Sequence, residues 1–165
     1  MTIIIKNKET LLIDNFKFKC SVGKKGFSGS KKEGDLKTPK GIFDLGNIYY
    51  RQDRIEKPIS KLKLIRIKKN MGWCDDPNSK EYNKLIKIKK NLKISYEKLF
   101  RRDNKYDLFI LIKYNYNKIT KNKGSAIFLH LTKSYKSTKG CIAIKKKDFF
   151  ILNKLINKKT KIKIG

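Results

Sequence analysis

A mainly β fold, built as one domain with one or two short helices, is what this sequence predicts. Three observations carry the expectation. The chain has 165 residues, 39% of them hydrophobic, which suits one domain with a real core. No shift in composition and no internal repeat divides residues 1–165. Its apolar residues fall in strand-sized groups, and only two segments read as helices.

The elements follow in order. Thr2–Lys6 and Leu11–Asp14 read as a hairpin across the polar turn Asn7-Lys8-Glu9. Phe16-Lys17-Phe18-Lys19-Cys20 alternates apolar and basic, the period of a half-buried strand. Residues 23–37 form a loop with glycines at 23, 26, 29 and 34; its spacing fits no phosphate-binding pattern. Strands are expected at Lys40–Leu45, Asn47–Arg51 and Leu62–Lys68. Asn70–Asn83 is rich in turn formers and holds the only tryptophan, so it reads as a loop. Leu92–Arg101 reads as a short helix. Leu108–Tyr114, Ser125–His130 and Cys141–Ile144 are apolar strands. Lys147–Asn157 is an amphipathic helix, with Asp148 where a carboxylate suits the helix dipole, and Lys161–Ile164 is a last strand.

Lys plus Arg number 43 and Asp plus Glu 14, a net charge of +29. The charge invites a nucleic-acid reading, but its make-up does not support a specific one. Lysine supplies 38 of the 43 cations, spread along the whole chain, and arginine, the better reader of phosphates and bases, supplies five. Lys, Ile and Asn make up 74 of 165 residues, and all three have A/T-rich codons. Base composition therefore accounts for much of the charge. No specific nucleic-acid partner is expected, only salt-sensitive attraction to anionic polymers.

No apolar run is long enough for a transmembrane helix. Met1–Lys6 has an apolar patch but no basic leader, long apolar stretch or cleavage site, so export by a standard signal is not expected. Cys20, Cys74 and Cys141 show no zinc spacing, and the lone His130 excludes a histidine-rich metal site.

The segment that points to chemistry runs from His130 to Cys141. A strand delivers the histidine, a polar loop follows, and Thr138-Lys139-Gly140 turns the chain into Cys141 at the head of an apolar strand. A thiol becomes a nucleophile when a base takes its proton, and imidazole is the usual base. The N–H groups of Gly140 and Cys141 are candidates to face a developing oxyanion. The plainer reading makes Cys141 a small buried hydrophobe and His130 a satisfied core side chain.

The His…Ser/Thr-x-Gly-Cys arrangement resembles the catalytic segment of the L,D-transpeptidase family, also called YkuD-like or ErfK/YbiS/YcfS/YnhG-like. Gly34–Phe43 is similar to the family's Thr-Pro-x-Gly-x-Phe segment. Gly72-Trp73-Cys74-Asp75-Asp76-Pro77 with Tyr82-Asn83, and Gly124–His130, resemble blocks of a compact branch of that family. The four blocks occur in the right order over roughly residues 20–150. The resemblance implies a single β-sandwich or barrel catalytic domain. It places the nucleophile on Cys141, the base on His130, and the active-site turn on Thr138, Lys139 and Gly140.

The implied reaction is acyl transfer through a thioester, from a peptidoglycan stem peptide to an acceptor amine, by a monomer without a cofactor. Hydrolysis of the same thioester, as in an L,D-carboxypeptidase, is an alternative; a non-catalytic module binding anionic polymers is another. The family's substrate implies the periplasm or cell envelope. Lys139 and Ala143 stand where the commonest form of the family has histidine and arginine, and the His-to-Cys interval is shorter than in that form. A cation at Lys139 would favour the thiolate; the competing role is a lysine that simply points to water. Trp73, Asp75 and Asp76 are candidate substrate contacts; the competing roles are a core or lid aromatic for Trp73 and a turn before Pro77 for the aspartates. Thr38 and Pro39 are expected to shape a strand start, and Cys20 and Cys74 to be packed thiols.

Overall fold

Period-two patterning governs most of this chain, and the computed structural model, which describes all residues Met1–Gly165, shows fourteen strands and one helix. The first hairpin forms as expected from β1 (Thr2–Asn7) and β2 (Thr10–Ile13), and β3 (Phe16–Ser21) follows. The glycine-rich segment is a loop except for β4 (Phe27–Ser28), which pairs with β5 (Thr38–Pro39) just before β6 (Gly41–Tyr50). Then come β7 (Leu64–Arg66), β8 (Met71–Cys74), β9 (Leu85–Lys87) and β10 (Tyr96–Lys98). The last third holds β11 (Leu108–Ile112), β12 (Phe128–Leu131), β13 (Ile142–Ile144), α1 (Lys146–Leu155) and β14 (Lys161–Ile164).

Nine strands form one sheet in the order β11-β12-β13-β3-β2-β1-β14-β6-β7. It closes into a barrel because β6 also pairs with β11, leaving β7 on the outside of the ring. A ring of this size leaves an interior that side chains alone can fill. Ile3, Ile5, Leu11, Ile48, Leu108, Ile110, Leu129 and Ile142 are among those that fill it. α1 docks Phe149 and Leu152 into the same core, with Asp148 in its first turn.

A second, smaller core lies on the outer face of β11 and β12. Phe109, Leu111 and Phe128 point there, while their neighbours Leu108, Ile110 and Leu129 point into the barrel. Strands buried on both faces read as continuous apolar runs, which explains the unbroken Leu108–Ile112 and Phe128–Leu131. Trp73, Tyr106 and Leu99 complete this outer core, over which the three-stranded sheet β10-β8-β9 is laid.

Three expectations are corrected. Leu92–Arg101 is not a helix: Tyr96–Lys98 is β10, pairing Tyr96 with Cys74, Glu97 with Trp73 and Lys98 with Gly72. Pairing with β8 supplies the backbone partners that a helix would have found within itself, and it sends Leu99 inward, fully buried. Asn70–Asn83 is not all loop, because burial of Trp73 and Cys74 outweighs the turn formers around them and makes β8. The strands expected at Lys40–Leu45 and Asn47–Arg51 are one, β6. Gly46 between them is a packing glycine: a Cβ there would meet the Leu111 side chain at 2.9 Å. No helix is long and apolar enough to cross a membrane.

Candidate active site

β12 and β13 run parallel, with Leu129 opposite Ile142 and His130 opposite Ala143. The side chains of Leu129 and Ile142 enter the barrel, so their alternates face out. Cys141, at the head of β13, therefore shares the outer face with His130, and the two are diagonal neighbours, roughly 8 Å apart at Cα from strand spacing and rise. Both line one cleft of about 780 Å³. Thr138, Lys139, Gly140 and Asp75 line it too.

Cys141 is 9% exposed. Its Sγ donates to the Ala126 carbonyl oxygen at 3.1 Å and accepts from the Phe128 N–H at 3.4 Å. Burial pushes the thiol up to about 12, and the Glu97 carboxylate adds to that; the Phe128 N–H, Lys31 and Tyr106 oppose it. His130 is 6% exposed, with Nδ1 2.9 Å from the Leu131 carbonyl oxygen. That oxygen can only accept, so Nδ1 carries the hydrogen and Nε2 holds the lone pair. Burial pushes the imidazole down to about 4, and Lys105 and Arg101 push the same way. At neutral pH the resting pair is thus thiol and neutral imidazole. No hydrogen bond joins them at rest, because the thiol's hydrogen is directed to Ala126.

The turn before Cys141 is held by one hydroxyl. Thr138 Oγ1 donates to the Cys141 carbonyl oxygen at 2.6 Å and accepts from the Gly140 N–H at 3.1 Å. The expected pair of oxyanion donors is therefore half spent: Gly140 N–H is taken, while Cys141 N–H makes no hydrogen bond within the chain. Gly140 has φ of +149°, and a Cβ there would lie 2.9 Å from the Lys37 carbonyl oxygen, so no other residue fits.

Asn83 anchors Ala126, which lines the cleft. Its Oδ1 accepts from Trp73 Nε1 at 2.9 Å and from the Ala126 N–H at 3.0 Å, and its Nδ2 donates to the carbonyls of Tyr114 and Asn115. Ala126 needs that support, since its φ of +51° is rare for a residue with a Cβ. This left-handed residue is also why the strand expected from Ser125 begins only at Phe128.

Trp73 is 1% exposed, packed edge-on against Tyr49 and Phe128, and it does not line the cleft. It takes the core role, not that of a substrate contact. Asp76 is a turn residue whose Oδ1 accepts from Asn78 N–H at 3.0 Å, and it too lies off the cleft. Asp75 lines the cleft while accepting from Ser95 Oγ at 2.6 Å. Lys139 is exposed at the rim, and Lys31 is a cation that opposes the rise of the thiol. Cys20 and Cys74 are buried, free thiols, and Thr38 Oγ1 accepts from the Gly23 N–H at 2.8 Å just before β6.

Among the cleft residues that sequence reasoning missed are Lys31, Glu97, Tyr106 and Ser125. Tyr106 donates to Glu97 Oε1 at 2.7 Å, and its ring lies 5.5 Å from that of His130. Burial raises the Glu97 carboxyl against the pull of Tyr106 and Arg101. Glu97 was hidden inside a segment read as helix, and Lys31 among 38 lysines. Around the mouth stand Lys98, Arg101, Lys105, Lys133, Lys136 and Lys139, which makes the entrance strongly cationic. No three histidine, cysteine or carboxylate side chains converge as a metal-binding group.

This geometry can host a thiol nucleophile, an imidazole base and a free N–H beside the attacked carbonyl. The sequence model of the L,D-transpeptidase catalytic domain, YkuD, matches residues 1–164. No curated protein gives a significant match. With nearly the whole chain matched, the protein belongs to the L,D-transpeptidase catalytic-domain family, and its mainly β barrel is consistent with that fold.

Proposed function

We propose, from this membership and the geometry of the cleft, that the protein is a peptidoglycan L,D-transpeptidase with Cys141 as nucleophile and His130 as general base. The observation that carries the reading is the placement of Cys141 Sγ and His130 on one face of adjacent strands, in one cleft, with the Cys141 N–H unspent.

The thiol near 12 and the imidazole near 4 make full proton transfer at rest strongly unfavourable. Transfer therefore accompanies attack. The thiol turns from Ala126 toward Nε2, the sulfur bonds to the carbonyl carbon of the stem peptide, and the proton passes to His130. Collapse of the tetrahedral adduct breaks the C–N bond. His130 returns the proton to the departing D-amino acid, leaving a thioester on Cys141. An acceptor amine then attacks the thioester and the thiol is regenerated. The cationic mouth suits a donor that carries carboxylates.

The test is intact mass after incubation with a stem tetrapeptide, followed by product analysis with and without an acceptor amine. A thioester adduct in the native protein, absent in Cys141→Ala and slowed about a hundredfold or more in His130→Ala, is the expected result. Turnover by Cys141→Ala at the native rate overturns the reading. Release of free tripeptide despite added amine would show hydrolysis in place of transfer.

A further inference from the structure

We propose that Lys31 Nζ is the second donor to the carbonyl oxygen that Cys141 attacks, completing an oxyanion site in which the backbone supplies only one. The proposal rests on the reading of Cys141 as nucleophile.

Lys31 is unlike the other lysines. Its side chain is only 4% exposed, yet it lines the cleft. The stem runs through a slot between two glycines. A Cβ on Gly124 would lie 2.8 Å from Lys31 Cε, and a Cβ on Gly140 would lie 3.5 Å from Lys31 Nζ. Gly140 immediately precedes Cys141, so the ammonium ends against the turn where the attacked carbonyl must sit.

The head is also held in place. Nζ donates to Asp35 Oδ1 at 2.7 Å and to the Lys32 carbonyl oxygen at 3.3 Å. Asp35 is itself fixed by the N–H groups of Lys32 and Lys37, at 2.8 and 2.9 Å. Burial disfavours its charge, but the Lys31 ammonium and those two N–H groups hold its carboxyl below the usual range. An ammonium has three N–H donors, and these contacts use two. The third has no partner in the chain. The buried Ser125 Oγ, on the residue after Gly124 and lining the same cleft, also lacks one.

An oxyanion site needs donors fixed before the reaction and aimed where charge develops. Gly140 N–H is spent on Thr138, so Cys141 N–H stands alone without Lys31. As the sulfur bonds to carbon, the carbonyl π pair moves onto oxygen, and the oxyanion accepts from Cys141 N–H and Lys31 Nζ. Lys31 keeps its proton throughout. When the pair returns to re-form the carbonyl, the amine leaves with the proton from His130.

The test separates reactions that do and do not form an oxyanion. Acylation of Cys141 by p-nitrophenyl acetate does; alkylation by iodoacetamide does not. Both rates are measured, with intact mass locating the adduct, in the native protein, Lys31→Met and the doubly neutral Lys31→Met/Asp35→Asn. The double variant leaves no unpaired carboxylate should the single one fold poorly. Removing Lys31 also takes a cation from the thiol, so both rates fall with the thiolate fraction; the ratio of acylation to alkylation is what reads the oxyanion, and it is expected to fall at least about tenfold, toward the hundredfold scale of a lost oxyanion donor.

A ratio of acylation to alkylation that stays within about threefold of the native protein's overturns the proposal. So does loss confined to a stem tetrapeptide with the acetate ester unaffected, which would assign Lys31 to a substrate carboxylate. A native protein that is alkylated but never acylated at Cys141 overturns the nucleophile reading itself, and the proposal with it.

Discussion

Lowering the pH from 7.5 to 5 should destabilise this protein through one side chain. His130 is its only histidine, it is 6% exposed, and burial pushes it from 6.5 down to about 4. Between those values the unfolded chain holds a proton on this imidazole and the native chain does not. Stability from this group is therefore complete above 6.5 and is lost as the pH falls toward 4. The full contribution is about 3 kcal/mol, and about 2 kcal/mol of it is lost by pH 5.

Other groups add no loss of stability in this window. Asp35, Asp53 and Asp103 are held below 3.8, so their contributions are lost only at lower pH. Glu97 is raised, which has the opposite sign: it stabilises the native state as pH falls through its folded value. The measured quantity is therefore the difference in pH dependence between the native protein and His130→Asn. With a urea m-value of about 2 kcal/mol/M for a domain of this size, the native midpoint should fall about 1 M further than the variant's between pH 7.5 and 5. Equal falls in the two proteins, or a native imidazole proton signal that titrates near 6.5, would refute a buried neutral His130.

Two further outcomes follow from the same site. With the thiol near 12, about 10⁻⁴ of Cys141 is thiolate at pH 8, so iodoacetamide labelling, located by peptide mass, should rise about tenfold per pH unit from 7 to 10; a plateau below pH 8 would mean a resting thiolate–imidazolium pair. Asn83→Ala strands Trp73 Nε1 and the Ala126 N–H and puts alanine at φ +55°, so it should cost about 3 kcal/mol in urea unfolding; a loss under about 1 kcal/mol would remove Asn83 from the role of anchor.

The barrel strands were legible because each writes its own signal. Alternation in Phe16–Cys20, unbroken apolar runs at Leu108–Ile112 and the amphipathic pattern of α1 all reflect which faces are buried, and burial is encoded locally. Cys141 and His130 stood out as candidates for a different reason. They are the rare reactive residues in a lysine-rich chain, and the family resemblance, now shown over residues 1–164, singled them out.

What sequence could not reach depends on partners distant in the chain. β10 is a strand because β8 lies beside it, and neither segment carries a pattern strong enough to say so alone. Gly140 N–H looks free in sequence and is spent in the structure, since Thr138 folds back onto it. Lys31 is one of 38 lysines by composition. Its burial, its ion pair with Asp35 and its approach to Gly140 exist only because the loop before β5 is laid against the Gly124–Ser125 segment and the turn before β13. Composition counts charges, but their place and protonation follow from what the fold removes from water.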